Sequence, residues 1–298
     1  MRCAMKLAVF TKNLNNPAYA AARLGADRVA ASFGAQVRHF VPTTPDDAAQ
    51  QSALVHEALR WSPDALVFAA VHPTRVQDAV AAVRAAGVPI FAFVSRMDPG
   101  QALSFVGASD TRLARDIALY LFEHLRGRAR LAIVEGPADS VTSRERVAAF
   151  DAAVRDAPGV RLVARCTGAY QREPAREAFA DVLARHADVD AVLVANDIMA
   201  LWVLDALQAA GRRAAVVGVN AIPQAITAIR EGRMLATADF NAMQMCALAT
   251  ECALRHGRGE AVPSDVELPV GIVDASNAAQ WDLPYEERAL LTLAACTA

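Results

Sequence analysis

The sequence predicts an α/β fold of doubly wound type, with two parallel-sheet lobes joined by a multi-strand hinge. Three observations predict it. Short apolar runs alternate with amphipathic segments of helical length through almost the whole chain. The runs are rich in β-branched residues and lack strict polar alternation, as expected of strands buried on both faces. The alternation also breaks once, near residues 103–110, where two apolar runs follow each other without a helix.

Taken in order, the first-lobe strands are "LAVFT" (7–11), "QVRHFV" (36–41), "ALVFAA" (65–70), "PIFAFV" (89–94) and "LSFVGA" (103–108). The second set is "RLAIVE" (130–135), "VRLVAR" (160–165), "DAVLVA" (190–195), "AAVVGV" (214–219) and "LATADF" (235–240). Helical patterns fall at 17–32, 45–61, 73–86, 110–126, 143–157, 171–186, 197–210 and 221–231, each opened or closed by Pro, Gly, Asp or Asn. The break near 103–110 marks the passage from one lobe to the other. A further helix (242–257) and a last strand, "VELPVGIV" (266–273), imply that the chain crosses again. The expected division is 1–107 plus 237–262 for one lobe, 108–236 plus 263–280 for the other, and a tail at 281–298.

Composition excludes several classes. Charged residues total 21% of 298 and the formal net charge is -2, which leaves no electrostatic footprint for nucleic acid or for a membrane surface. The hydrophobic fraction of 54% comes largely from alanine, and no uninterrupted apolar run approaches the ~20 residues of a membrane span. The five cysteines (Cys3, Cys166, Cys246, Cys252, Cys296) form no CxxC pair. Cys246 and Cys252 lie on different faces of one helix and are not expected to bridge; the five are expected to be small buried hydrophobes and terminal thiols. Only Met1 to Met5 precede the first strand, so no export leader is expected within the chain as written.

Ligands of open α/β sheets bind at the carboxyl ends of the strands, and those ends carry amides, hydroxyls, arginines and aromatics. After the first strand come Lys12, Asn13, Asn15 and Asn16, with Tyr19 one turn into a helix that Asn16 is expected to cap and Pro17 to open. His72, Ser95 and Arg96 follow the third and fourth strands. In the second half lie Arg144, Tyr170, Asn196, Asn220, Asp239 and Phe240. Such groups suit a ligand with donors, acceptors and an apolar ring face, as a sugar has. Asp197 is expected to cap the helix after Asn196, Arg146 to sit on a solvated helix face, and Glu135 to be structural. No nucleophile elbow, phosphate loop, dinucleotide fingerprint or acid–base pair is present, so no enzymatic activity and no cofactor or metal are expected.

The sequence resembles type I periplasmic sugar-binding proteins of the ribose-binding kind, which share their fold with lactose-repressor effector domains. The resemblance covers residues 6 to about 273 and rests on "NLNNPAY", "SRM", "SRERVAAF", "NDIMAL" and "VVGVNAIP", in this order. It implies a type I periplasmic binding protein clamshell. Carried over position by position, it implies ligand contacts at Asn16, Tyr19, Ser95, Arg96, Arg144, Tyr170, Asn196, Asn220 and Phe240. Lys12, Asn13 and Asp239 join them from their strand ends.

The resemblance implies a monomeric solute-binding protein of an ABC transporter, closing its lobes on a sugar, polyol or sugar acid and presenting the closed form to a membrane permease. It places the protein in the periplasm; without a leader a cytoplasmic location is the alternative. The rival function is the effector-binding domain of a sensor, or of a transcription regulator lacking its DNA-binding part. Four positions depart from the sugar-binding pattern: Ala18 for an aromatic, Ser95 and Asn220 for aspartates, and Phe240 for a glutamine. With those acids missing, Arg96, Arg144 and Lys12 require a balancing charge, from Asp239 or from an anionic ligand.

Overall fold

The chain runs β1 (Lys6–Phe10), α1 (Pro17–Phe33), β2 (Gln36–Phe40), α2 (Ala48–Arg60), β3 (Ala65–Phe68), α3 (Gln77–Ala85), β4 (Ile90–Phe93) and β5 (Ser104–Gly107) in a computed structural model that describes residues 4–297. It continues through α4 (Asp110–His124), β6 (Ala129–Glu135), α5 (Val141–Arg155), β7 (Val160–Thr167), α6 (Arg172–Arg185), β8 (Ala191–Val194), α7 (Asp197–Ala209), β9 (Ala215–Val219), α8 (Pro223–Arg230) and β10 (Ala236–Asp239). Then come α9 (Ala242–Gly257), β11 (Asp265–Glu267), β12 (Gly271–Asp274), a 3-10 turn (Ala278–Trp281) and α10 (Leu293–Thr297). The expected doubly wound architecture is what the structure shows. Cys3, one of the expected terminal thiols, lies outside the described residues; Cys246 and Cys252 are buried and unbridged.

Two compact units form. Among the described residues, the first comprises 4–108, Asn241–Pro269 and 285–297; the second comprises Ser109–Phe240 and Val270–Pro284. The first contains a sheet of order β11-β5-β4-β3-β1-β2, all parallel. The second contains β12-β10-β9-β8-β6-β7, parallel except for the antiparallel β12. Central strands such as β3 and β8 are buried at every position, which is why their sequences carry no polar alternation.

The expected boundaries need correction in three places. "VELPVGIV" is not one strand but two. Pro269 has no N–H to give a ladder, and around it the chain leaves β5 of the first sheet and joins β10 of the second. Residues 263–269 therefore belong to the first unit, and 237–240 to the second. The expected tail is also no separate element. Its residues to Pro284 belong to the second unit and the rest to the first. There the Gln244 amide donates to Leu291 O and accepts from Leu291 N–H, both at 2.8 Å, and Glu251 accepts from Leu293 N–H at 2.8 Å.

In the first unit α1 packs closely on α9, and Gly25 permits it: a Cβ there would lie 2.5 Å from Met243 O. Gly25→Ala improves helix propensity but overpacks this contact. We expect a net loss of about 1–3 kcal/mol in chemical denaturation; an unchanged or raised midpoint would refute the close approach.

Candidate functional site

In each sheet the strand order reverses beside the first strand of the unit, and ligands of open α/β sheets bind outside the strand carboxyl ends at such points. In the first unit the reversal lies between β1 and β3. Phe10, at the end of β1, is fixed by ring contacts with Phe40 (centroids 5.1 Å) and Phe68 (5.2 Å). Beyond it Thr11, Lys12 and Asn13 are buried, tied by Arg23 Nη1 donating to Thr11 Oγ1 (2.9 Å) and Asn13 O (3.3 Å). Asn13 Oδ1 accepts from Asn16 N–H at 2.9 Å, and Asn16 Oδ1 accepts from Ala18 N–H at 3.0 Å, capping α1 as expected. Both amide oxygens are thus engaged by backbone, and the side chains keep their NH2 groups and each oxygen's second lone pair. Tyr19 is buried in the first turn; Asn15 points to solvent and takes no part.

The end of β4 is strained. Val94 has φ 65, and Ser95 N–H donates to Phe93 O at 2.7 Å, closing a three-residue turn. The turn drives Ser95 inward, where its Oγ is buried and, among the described residues, has no hydrogen-bond partner. An orphaned buried hydroxyl calls for an explanation, and a ligand polar group is the simplest one. Arg96 does not share that environment. Its side chain is 60% exposed, ion-paired with Asp265, and stacked over Phe105 at 4.1 Å. His72 is engaged locally, its Nδ1 accepting from Thr74 N–H (3.1 Å) and Arg75 N–H (3.2 Å).

In the second unit the order reverses between β6 and β8. The arginine found there is Arg146, not Arg144. Arg144 is exposed on the outer face of α5, whereas Arg146 is 3% exposed. Arg146 Nε donates to Asp110 Oδ1 at 2.6 Å, its Nη1 donates to Ala195 O at 2.7 Å, and its guanidinium lies 4.9 Å from the Phe240 ring centre. A helical stripe explains the difference: Thr142, Arg146, Ala149, Phe150 and Ala153 share the buried face of α5, and position 144 lies off it. Tyr170, at φ 58, lies over Gly136, where any Cβ would collide with its ring, and its hydroxyl is 3.3 Å from Thr142 Oγ1.

Asn196, not Asp197, caps α7: its Oδ1 accepts from Met199 N–H at 2.9 Å. Asp197 is fully buried. Its Oδ1 accepts from Thr237 Oγ1–H at 2.7 Å and its Oδ2 from Ile222 N–H at 3.1 Å. Burial pushes this carboxyl up to about 6, with the hydrogen bonds and Arg146 acting in the opposite direction. Asn220 follows β9 at φ 124, its N–H donating to Ala238 O at 2.9 Å, and Asp239 and Phe240 are buried at the end of β10. Sequence reasoning missed Arg146, Asp110 and the role of Asp197.

A family model described as "Periplasmic binding protein domain" matches residues 7–261. The D-ribose/D-allose-binding protein of Pseudomonas aeruginosa is 30% identical over 242 residues, covering 77% of this chain and 75% of that protein. The chain belongs to the periplasmic binding protein family. Among solved structures, an ABC transporter solute-binding protein of Mycobacterium smegmatis with bound glycerol is 28% identical, with TM-score 0.86 over 93% of this chain and 96% of that one. One from Actinobacillus succinogenes with bound D-allose is 23% identical, with TM-score 0.87 over 93% and 99%, a likeness of fold.

For this periplasmic binding protein the geometry takes two of the three cations out of the argument for an anionic ligand, while Lys12 stays buried in the first unit. Arg96 and Arg144 are exposed, and the buried Arg146 is offset by Asp110. The buried charged groups described in the second unit are Asp110, Asp197 and Asp239 against Arg146.

Two expectations follow. Arg146→Ala leaves Asp110 buried and unpaired and should cost about 3–5 kcal/mol, while Arg144→Ala should stay within about 0.5 kcal/mol of wild type. Urea denaturation of both variants checks the assignment; the opposite ranking would reverse it. The second concerns pH. The folded carboxyl of Asp197 holds its proton more tightly than the unfolded one, so this group's contribution is fully present below about pH 4 and lost as pH rises through about 6. The loss is roughly 2–3 kcal/mol. Asp197→Asn should remove that component, read as the difference between the two pH–stability curves, and parallel curves would contradict it.

Proposed function

We propose that this chain is the solute-binding component of an ABC importer, acting in the periplasm, and that its ligand is a neutral sugar or polyol. The observation that carries the reading is the division of labour within the strand-end amides. Asn13, Asn16 and Asn196 each have their oxygen taken by a backbone N–H. Their NH2 groups remain as donors, and Asn220 and Asp239, at the ends of β9 and β10, supply acceptors. A ligand bearing several hydroxyls meets both needs, since each hydroxyl accepts and donates. The buried Ser95 Oγ adds a further neutral partner.

The relatives support the same class: D-ribose/D-allose in the name of one, bound glycerol in another. A permease partner follows from the description of the latter as an ABC transporter solute-binding protein. Among the described residues no helix is long and apolar enough to cross a membrane.

Thermal-shift screening of D-ribose, D-allose, myo-inositol and glycerol against D-ribonate tests the ligand class. A neutral compound at a hundred times its Kd should stabilise the protein by about 2.7 kcal/mol; stabilisation by the acid alone would overturn the reading. Asn16→Asp separates binding from capping. It keeps the cap but replaces the NH2 donor with an oxygen, so the melting temperature should hold while affinity for the stabilising sugar falls by about 1–3 kcal/mol in calorimetry.

A further inference from the structure

Between β9 and α8 the backbone makes a turn that few sequences tolerate. Asn220 (φ 124) and Ala221 (φ 51) lie consecutively in the left-handed half of φ, and neither is glycine. Such a conformation persists only where the surroundings over-determine it. Here the surroundings are one carboxylate and one hydroxyl. Ala221 N–H donates to Thr237 Oγ1 at 3.3 Å, Thr237 Oγ1–H donates to Asp197 Oδ1 at 2.7 Å, and Ile222 N–H donates to Asp197 Oδ2 at 3.1 Å. Both oxygens of Asp197 are therefore spent on this turn, directly or through Thr237. β9 makes room for them: a Cβ at Gly218 would collide with Asp197 Oδ1.

We propose that Asp197 is a positioning residue for ligand binding: its buried carboxylate, acting through Thr237 and the Ile222 amide, holds the 220–222 turn in its left-handed backbone and so sets where Asn220 presents its amide. The proposal rests on the carbohydrate-binding function above but concerns a residue that needs no contact with ligand. Its chemistry is that of acceptors and donors. An ionised carboxylate accepts from Thr237 and Ile222 together. A proton on Oδ2 faces the Ile222 N–H and removes that tether, whereas a proton on Oδ1 reverses the bond to Thr237 Oγ1, which then accepts from both Asp197 and Ala221. The charged groups on neighbouring elements are Arg146 of α5, its partner Asp110 of α4, and Asp239 of β10; β9 and the first turn of α8 carry none. With the carboxyl pushed up to about 6, the switch falls in a physiological range.

The test has an arm that needs no ligand. Backbone amide resonances of Asn220, Ala221 and Ile222 are followed from about pH 4.5 to pH 8 in the unliganded protein, together with the Asp197 carboxyl carbon. We expect the three amides to move with the carboxyl midpoint in wild type and to be flat in Asp197→Asn. Thr237→Ser should keep the titration at all three amides, and Thr237→Val should lose it at Ala221 while Ile222, bonded directly to Asp197, keeps it. In the second arm, calorimetry with D-allose should show affinity about three-fold or more weaker at pH 5.5 than at pH 7.5 in wild type, and no such dependence in Asp197→Asn. Amides that stay still while the Asp197 carboxyl titrates would overturn the proposal, and so would a D-allose affinity that ignores pH while they move. D-ribose, myo-inositol and glycerol replace D-allose in turn; binding by none of the four defeats the carbohydrate reading, and the amide titration still decides the role of Asp197.

Discussion

The first N–H groups of a helix have no partner inside that helix, and this constraint shapes both strand-end surfaces. α1 starts seven residues after β1, and α7 starts three residues after β8, at the points where their sheets reverse order. Whatever residue stands there must first satisfy the helix. Asparagine does so with its oxygen and keeps its NH2; aspartate or serine would cap as well but would present no NH2. The two units reach the same arrangement with Asn16 and Asn196. Under the proposed function, the donor offered to ligand is built into the start of the helix and aimed by the same bond that holds the backbone.

Much of the fold was legible because it depends on local rules. Asn16 and Pro17 fixed the start of α1, and the unbroken apolar run of β8 announced a strand covered on both faces. What failed depended on distant partners. The pairing of Arg96 with Asp265 spans 169 residues, and no local pattern reports it. The split of 266–273 turns on which sheet each half joins, which hydrophobicity does not encode. Arg146 is a different kind of miss. Counting back four from Phe150 and three from Ala149 places it on the buried stripe of α5, and the spacing was there to be counted. Asn196 and Asp197 are adjacent and both are good caps, so only geometry could separate them.

Arg146 links four parts of the second unit: α5 that carries it, Asp110 of α4, the Ala195 carbonyl beyond β8, and the Phe240 ring beyond β10. A planar guanidinium can meet an acid, a carbonyl and an aromatic face at once; an ammonium has no such shape. Because Asp110 cancels its charge, Arg146 contributes directional N–H groups rather than net positive potential.

Asp197 sets stability against positioning. Burying an ionisable group that titrates near neutrality costs the folded state whenever the group is charged, and an asparagine would avoid that cost. An asparagine would also have one oxygen where the turn at 220–222 needs two acceptors. The same carboxylate that weakens the fold above its midpoint is the one able to hold two consecutive left-handed residues in place. Strain of this kind collects where a side chain must face one direction only. At 220–221 of the second unit such strain stands at a strand end, with a glycine in β9 clearing the space for the carboxylate that holds it; the local conflict and the proposed placing of Asn220 therefore have one structural solution, and its energetic signature is a dependence on pH.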